Sequence, residues 1–190
     1  MATAPGTAAG LTIWELDPAH TLVEFSAKHM MITTVKGRFV DVSGTIHADE
    51  SNPSRSRVEA TIQAASIDTR TEQRDQHLKS ADFLDVEHYP TITFKSTRVE
   101  SIDKEHFRVT GDLTIHGTTR PVTLDTTFEG REKDPWGGER AGFSATTKID
   151  RREFGLTWNQ ALETGGVLVG NEIKISIEVE AVKTAVSSER

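Results

Sequence analysis

The sequence predicts an all-β domain: an antiparallel up-and-down barrel of about eight strands, its ends closed by short helical segments. Three observations point there. Apolar or small residues recur at every second position through most of the 190 residues. The alternating runs follow one another across short polar turns. Helical patterning is confined to one short stretch between Thr69 and Pro90. Each strand therefore offers one apolar face, and no helical segment is long enough to cover a sheet. Closing the sheet on itself hides those faces and removes its edges. Two stacked sheets would hide them too, but the alternating runs of about ten residues from Phe94 onward favour the barrel.

The elements follow in order. Residues 1–11 and 185–190 read as flexible tails around a single barrel domain spanning 12–184. A short opening strand lies around Ile13 to Leu16, and Val23, Phe25 and Ala27 mark the inward face of the next. Val40, Val42 and Ile46 mark a third, and Val58, Ala60, Ile62 and Ala64 a fourth. Thr69-Arg-Thr-Glu72 fits a capping box and predicts a helix from there to about Lys79, with Asp75 and Lys79 paired one turn apart. Tyr89-Pro90 ends the helical stretch, because the residue before proline is pushed out of the helical region. Ile92 and Phe94 open the next strand. Phe107, Val109, Gly111, Leu113 and Ile115 face inward on its successor, and a turn at Gly117-Thr-Thr leads to Val122, Leu124, Thr126 and Phe128. Ala141 to Ile149 and Ile173 to Val179 alternate in the same way.

Composition excludes several classes. There are no cysteines, so disulfides, thiolate metal sites and cysteine nucleophiles are impossible. A net charge of −7 with no basic stripe argues against nucleic acid. No apolar run approaches a membrane span. The opening Met1 to Gly10 has neither a basic region nor an apolar core, which predicts a cytoplasmic protein. There are seven histidines and 29 acids, yet His-Glu-x-x-His, Gly-x-Ser-x-Gly and Walker patterns are all missing, so catalytic and metal-ligating residues are expected to be none. Outward positions read as Thr, Lys, Arg, Asp and Glu, which speaks against an interaction module without a ligand.

Small inward residues, among them Gly44, Ala60, Ala64, Gly111, Ala141 and Ala145, either leave room for a ligand or let the aromatic residues pack. The interruptions of the alternation are the other places to look for function. Between His77 and Pro90, Leu78, Phe83 and Leu84 form the apolar part of a plug, with Arg74 and His77 one turn apart. His29 and Met30 begin an irregular segment with two flexible thioethers. Asp150 to Gly170 is a long connection carrying Trp158 and Leu162, of the length that commonly makes a lid.

The stretch His77-Leu-Lys-Ser-Ala-Asp-Phe-Leu-Asp-Val-Glu-His-Tyr-Pro90 resembles the signature of the YceI-like family of polyisoprenoid-binding, lipocalin-like proteins. Trp14 to Phe25, His29 to Phe39, Gly111 to Val122, Ile149 to Gly155 and Val169 to Ile173 are similar to further segments of that family in the same order. The resemblance implies a lipocalin-like barrel whose bore holds a long isoprenoid, isoprenoid quinone or fatty-acyl chain, for binding, transport or storage without catalysis. No cofactor is implied other than the bound lipid, and a homodimer would be unsurprising. The ligand-facing residues expected are Phe25, Phe39, Phe94 and Phe143 in the bore, Leu78 and Phe83 on the plug, His29, Met30, Trp158 and Leu162 on the irregular segments, and Arg74 and His77 for a polar head. The alternative is a metal-dependent small-molecule enzyme using His29 and His77, with Asp82 or Glu163.

Overall fold

Eleven strand segments build eight barrel staves in the computed structural model, which describes residues 11–186. The segments are β1 (Thr12–Leu16), β2 (Leu22–His29), β3 (Thr33–Phe39), β4 (Val42–Ala48), β5 (Arg57–Gln63), β6 (Ile67–Asp68), β7 (Thr91–Ser101), β8 (His106–Ile115), β9 (Thr118–Lys133), β10 (Glu139–Asp150) and β11 (Glu172–Val186). All pairings are antiparallel, and β1 lies on both β4 and β11, which closes the barrel. β2 continues β1 along β11, β3 continues β4 along β2, and β6 continues β5 along β3. The first three staves are thus each broken once, whereas the last five run uninterrupted.

The breaks correct the sequence reading locally. Phe39 and Val42 are both buried while Val40, expected on the inward face, is 54% exposed. Two inward residues three apart require a slip of the alternation, and residues 40–41 supply it between β3 and β4. The expected turn at Gly117-Thr-Thr also moves. His116 and Gly117 carry it with φ of 53° and 71°, and Thr118 already pairs with Ile115. β11 runs to Val186, two residues into the stretch read as a C-terminal tail, and residues 1–10 and 187–190 of the expected tails lie outside the described residues.

The helix also departs from its expected start. The single α-helix among the described residues, α1, spans Glu72–Lys79 and is preceded by Thr71, whose side chain makes no capping bond. Thr69 is buried, and its backbone N–H and Oγ1 both donate to the Asp75 carboxylate, at 2.9 and 2.5 Å. The capping box is therefore replaced by a carboxylate further along the helix that ties the preceding loop to it. Asp75 is spent on Thr69 rather than on Lys79. No helix among the described residues is long and apolar enough to cross a membrane.

One end of the barrel is formed by the β2–β3 turn, α1 with residues 80–90, and the β10–β11 connection. There Ile67, Phe83, Leu84, Ile115, Phe154 and Leu156 are buried, Phe154 completely. Along the staves the inward residues Phe94, Phe128, Phe143, Ile175 and Ile177 are only half-buried although they point away from bulk solvent. They face open space inside the barrel.

Candidate functional site

That space is a cavity of about 980 Å³ bounded by side chains from every stave. It is at the upper end of the range for small-molecule sites. The alternation explains its walls: in β8 Val109, Leu113 and Ile115 point into it, in β9 Val122, Leu124 and Phe128, and in β10 Ala141, Phe143 and Ala145. Trp14, Val23, Phe25 and Phe94 complete a nearly unbroken apolar surface. A polar group entering it would find few partners, whereas a hydrocarbon gives up water contact at about 25 cal/mol per Å².

The small inward residues divide between the two roles foreseen for them. Ala60, Ala141 and Ala145 line the cavity and leave its width open. Gly44 and Gly111 serve packing: a Cβ on Gly111 would lie 2.6 Å from both Phe94 Cζ and the Lys95 carbonyl, and one on Gly44 would lie 2.5 Å from the Glu59 carbonyl. The Phe25 ring covers Gly37 on the adjacent strand in the same manner. Ala64 is buried in a single helical turn between β5 and β6, outside the cavity wall.

The two ends of the bore differ. The first is closed by the plug, whose Leu78 on α1 and Phe83 and Leu84 just after it reach the cavity, together with Leu156 and Val169 of the β10–β11 connection. Arg151 holds this connection in place. It is 3% exposed, and its guanidinium donates to the carbonyls of Leu156 at 2.6 Å, Trp158 at 2.9 Å, Gly170 at 3.0 Å and Val169 at 3.3 Å. Burial pushes its pKa down, with Asp150 nearby acting against that. At the other end the lining includes Asp49, Glu50, Ser101, Asp103, Lys104 and Arg131. Arg131 pairs there with Glu50 and, at 2.6 Å, with Glu139, and its guanidinium lies 5.2 Å from the centre of the Trp14 ring. Arg131 first, then Lys183, holds the Glu139 carboxyl at about 2.

Of the residues expected to face a ligand, Phe25, Phe39, Leu78, Phe83, Phe94 and Phe143 line the cavity, and His29, Met30, Arg74, His77, Trp158 and Leu162 do not. Arg74 is occupied with Thr69, donating from Nε to Oγ1 at 2.8 Å and from Nη2 to the carbonyl at 2.7 Å. His77 contacts Asp82 at 2.8 Å and stands edge-on to Phe83 and Trp158, with ring centres 5.1 and 4.6 Å apart. Arg74 and His77 therefore brace the plug and do not form a pair of free donors over the bore. Met30 is 41% exposed at the β2–β3 turn, and Leu162 closes a turn with Gly165 and Gly166 in the β10–β11 connection.

His29 ends β2, exposed, bridging Val169 through its backbone. Neither His29 nor His77 belongs to a cluster of metal-ligating side chains among the described residues. The cluster that does occur there is Asp17, His20 and Glu180, and Arg140 already sits within it, donating to Asp17 at 2.8 Å and to Glu180 at 3.0 Å. Sequence reasoning missed Arg151 and the buried Asp49, since a charged residue beside a turn reads as solvated. Much of the apolar wall, including Val109, Leu113, Val122, Leu124, Ala141, Phe143 and Ala145, was legible as inward positions of the alternating runs, whereas the wall residues contributed by turns, among them Glu50, Asp103 and Lys104, were not.

Comparison with known proteins places this architecture. The model of the YceI-like domain matches residues 14–181. Protein YceI of Escherichia coli O157:H7 is 41% identical over 164 residues, covering 86% of this chain and 82% of that one. Among solved structures, the YceI protein of Campylobacter jejuni is 36% identical, with a TM-score of 0.71 over 83% of this chain and 90% of that one. A polyisoprenoid-binding domain from Saccharophagus degradans shares the fold at 13% identity, with a TM-score of 0.65 over 92% of this chain and 99% of that one.

Proposed function

This chain belongs to the YceI-like domain family, and we propose that it is a non-catalytic carrier or store for one long apolar lipid, of isoprenoid, isoprenoid-quinone or fatty-acyl type, held inside the barrel. The observation that carries this reading is the cavity of about 980 Å³ with an almost wholly apolar wall. The Saccharophagus degradans domain of the same fold is a polyisoprenoid-binding domain, which supports the class of ligand. Affinity arises from burying methylene and methyl groups, at about 0.8 kcal/mol per CH₂, less the cost of ordering the chain. Discrimination along the chain is weak, because an apolar wall offers no directional bonds. It is stronger at the polar end, which must stop where donors or acceptors are available.

Native mass spectrometry of the purified protein, with organic extraction of what travels with it, tests the reading. One equivalent of a long-chain lipid is expected, released when the protein unfolds. A preparation that carries no lipid and shows no saturable uptake of a fluorescent long-chain probe would refute it.

A further inference from the structure

The turn between β2 and β3 breaks two rules at once. The Ile32 N–H donates to the His29 carbonyl at 3.1 Å across Met30 and Met31, and both methionines have positive φ, 52° and 64°. Hairpin turns with two such residues are normally filled by Asn and Gly, because a side chain in the left-handed region is strained. The β8–β9 turn of this same chain places Gly117 at one of its two positive-φ positions. The strained residues are moreover apolar and face solvent: Met30 is 41% exposed, Met31 57% and Ile32 76%. Three adjacent apolar residues at the tip of a hairpin, held in a conformation that their side chains disfavour, point to a use for the exposed surface.

Charge says what that use is. Residues 25–40 contain Lys28, Lys36 and Arg38 and no acid, in a chain whose net charge is −7. Arg38 is paired with Asp68, but Lys28 and Lys36 lie exposed on the outer faces of β2 and β3 just behind the tip. Lys28 stands two residues from Met30, about 7 Å along the strand, the depth that separates lipid headgroups from the upper acyl region. The tip is also supported from one side. The Met30 N–H donates to the Leu168 carbonyl at 2.8 Å, and the Gly170 N–H to the Lys28 carbonyl at 2.9 Å, so the turn is tied to the β10–β11 connection, whose one acid between Thr157 and Gly170 is Glu163. The exposed Trp136 and Ile102 differ: each stands alone on its own turn, beside Asp134 and Asp103 respectively.

We propose that the Met30-Met31-Ile32 tip inserts into the surface of an anionic lipid membrane, with Lys28 at headgroup level and Lys36, two residues further back on β3, adding to the attraction, while the exposed acids Glu72, Asp82 and Glu87 of the same end keep α1 and the loop after it off the bilayer. This surface stands independently of what fills the bore. A membrane is the natural source or destination of a long apolar ligand, and Phe25, Ala27 and Val169, immediately behind the tip, line the cavity.

The test uses the whole protein and sedimentation with vesicles, either phosphatidylcholine alone or phosphatidylcholine mixed with phosphatidylglycerol. The wild type is expected to sediment with the mixed vesicles, less with the neutral ones and less at high salt. Met30→Asn with Met31→Gly places the preferred residues in the turn, so its melting temperature should stay level or rise while vesicle binding falls at least about tenfold. Lys28→Gln with Lys36→Gln should weaken binding to the mixed vesicles and leave neutral ones unaffected. Uptake of a fluorescent long-chain probe added without vesicles should be unchanged in both variants, which separates this surface from the bore. A wild type that ignores mixed vesicles, as a tip built for a protein partner would, overturns the proposal. Undiminished binding by the turn variant overturns it equally.

Discussion

Ala145→Trp asks whether the bore is space or core. Ala145 lies in the middle of β10, opposite Ile177 of β11 and Thr126 of β9, with its methyl group in the cavity wall and only 8% of the residue exposed. In a filled core an indole at this position would force neighbours off their rotamers and cost about 1 to 3 kcal/mol. In an open bore the same indole finds room and buries apolar surface, so stability should stay level or rise by about 1 kcal/mol. Ligand binding moves the other way. An indole that displaces about four chain methylenes removes about 3 kcal/mol of burial, a little over a hundredfold in Kd. Urea unfolding of the lipid-free protein, alongside titration with a fluorescent long-chain probe, reads both quantities. Destabilisation by more than about 1 kcal/mol with unchanged probe affinity would refute the open bore.

Other outcomes follow from the ends of the barrel. Arg151→Ala leaves four backbone carbonyls without their shared donor and should destabilise the protein by about 3 to 5 kcal/mol in urea unfolding. Arg151→Lys should recover only part of that, since one ammonium cannot reach carbonyls on both sides of the loop, and a loss below about 1 kcal/mol for Arg151→Ala would show that the clasp is dispensable. Acid should loosen the seam where β1, β10 and β11 meet. Asp17 is held at about 2, by His20 first and then Arg140, and Glu139 at about 2 by Arg131 first and then Lys183. Both carboxyls sit below their ordinary values of 3.8 and 4.5, so their contribution is complete above about pH 4.5 and is lost as pH falls toward about 2. His20 is raised above 6.5 by Asp17 first and then Glu180, so its contribution is complete below pH 6.5 and fades as pH rises through the raised value. Thermal melts across this range check both signs, and a melting temperature that rises between pH 4.5 and 2 would contradict the first.

Two-residue alternation determined that this chain is built of antiparallel strands, whereas closure into a barrel rests on β1 pairing with both β4 and β11. Outside the slip at Val40, alternation also determined which face of each strand looks inward, because in a strand the side chain's direction depends on its position along the chain. Phe25, Phe94 and Phe143 were legible as wall residues for that reason, as were the positions of Ala60, Ala141 and Ala145. A local rule cannot say what meets across the barrel. Gly111 was open to two readings until the Phe94 ring of the neighbouring stave was seen to lie over it. Arg74 looked available to a ligand until the loop folded so that the Thr69 carbonyl and hydroxyl came within its reach, and nothing local marked Arg151 as the residue on which four carbonyls from 156 to 170 converge. In the same way Met30 and Met31 could have been packed, and only the register of β2 on β3 carried them out to the tip. Polar side chains and turns take their roles from partners distant in sequence, and those partners are assigned by the tertiary fold.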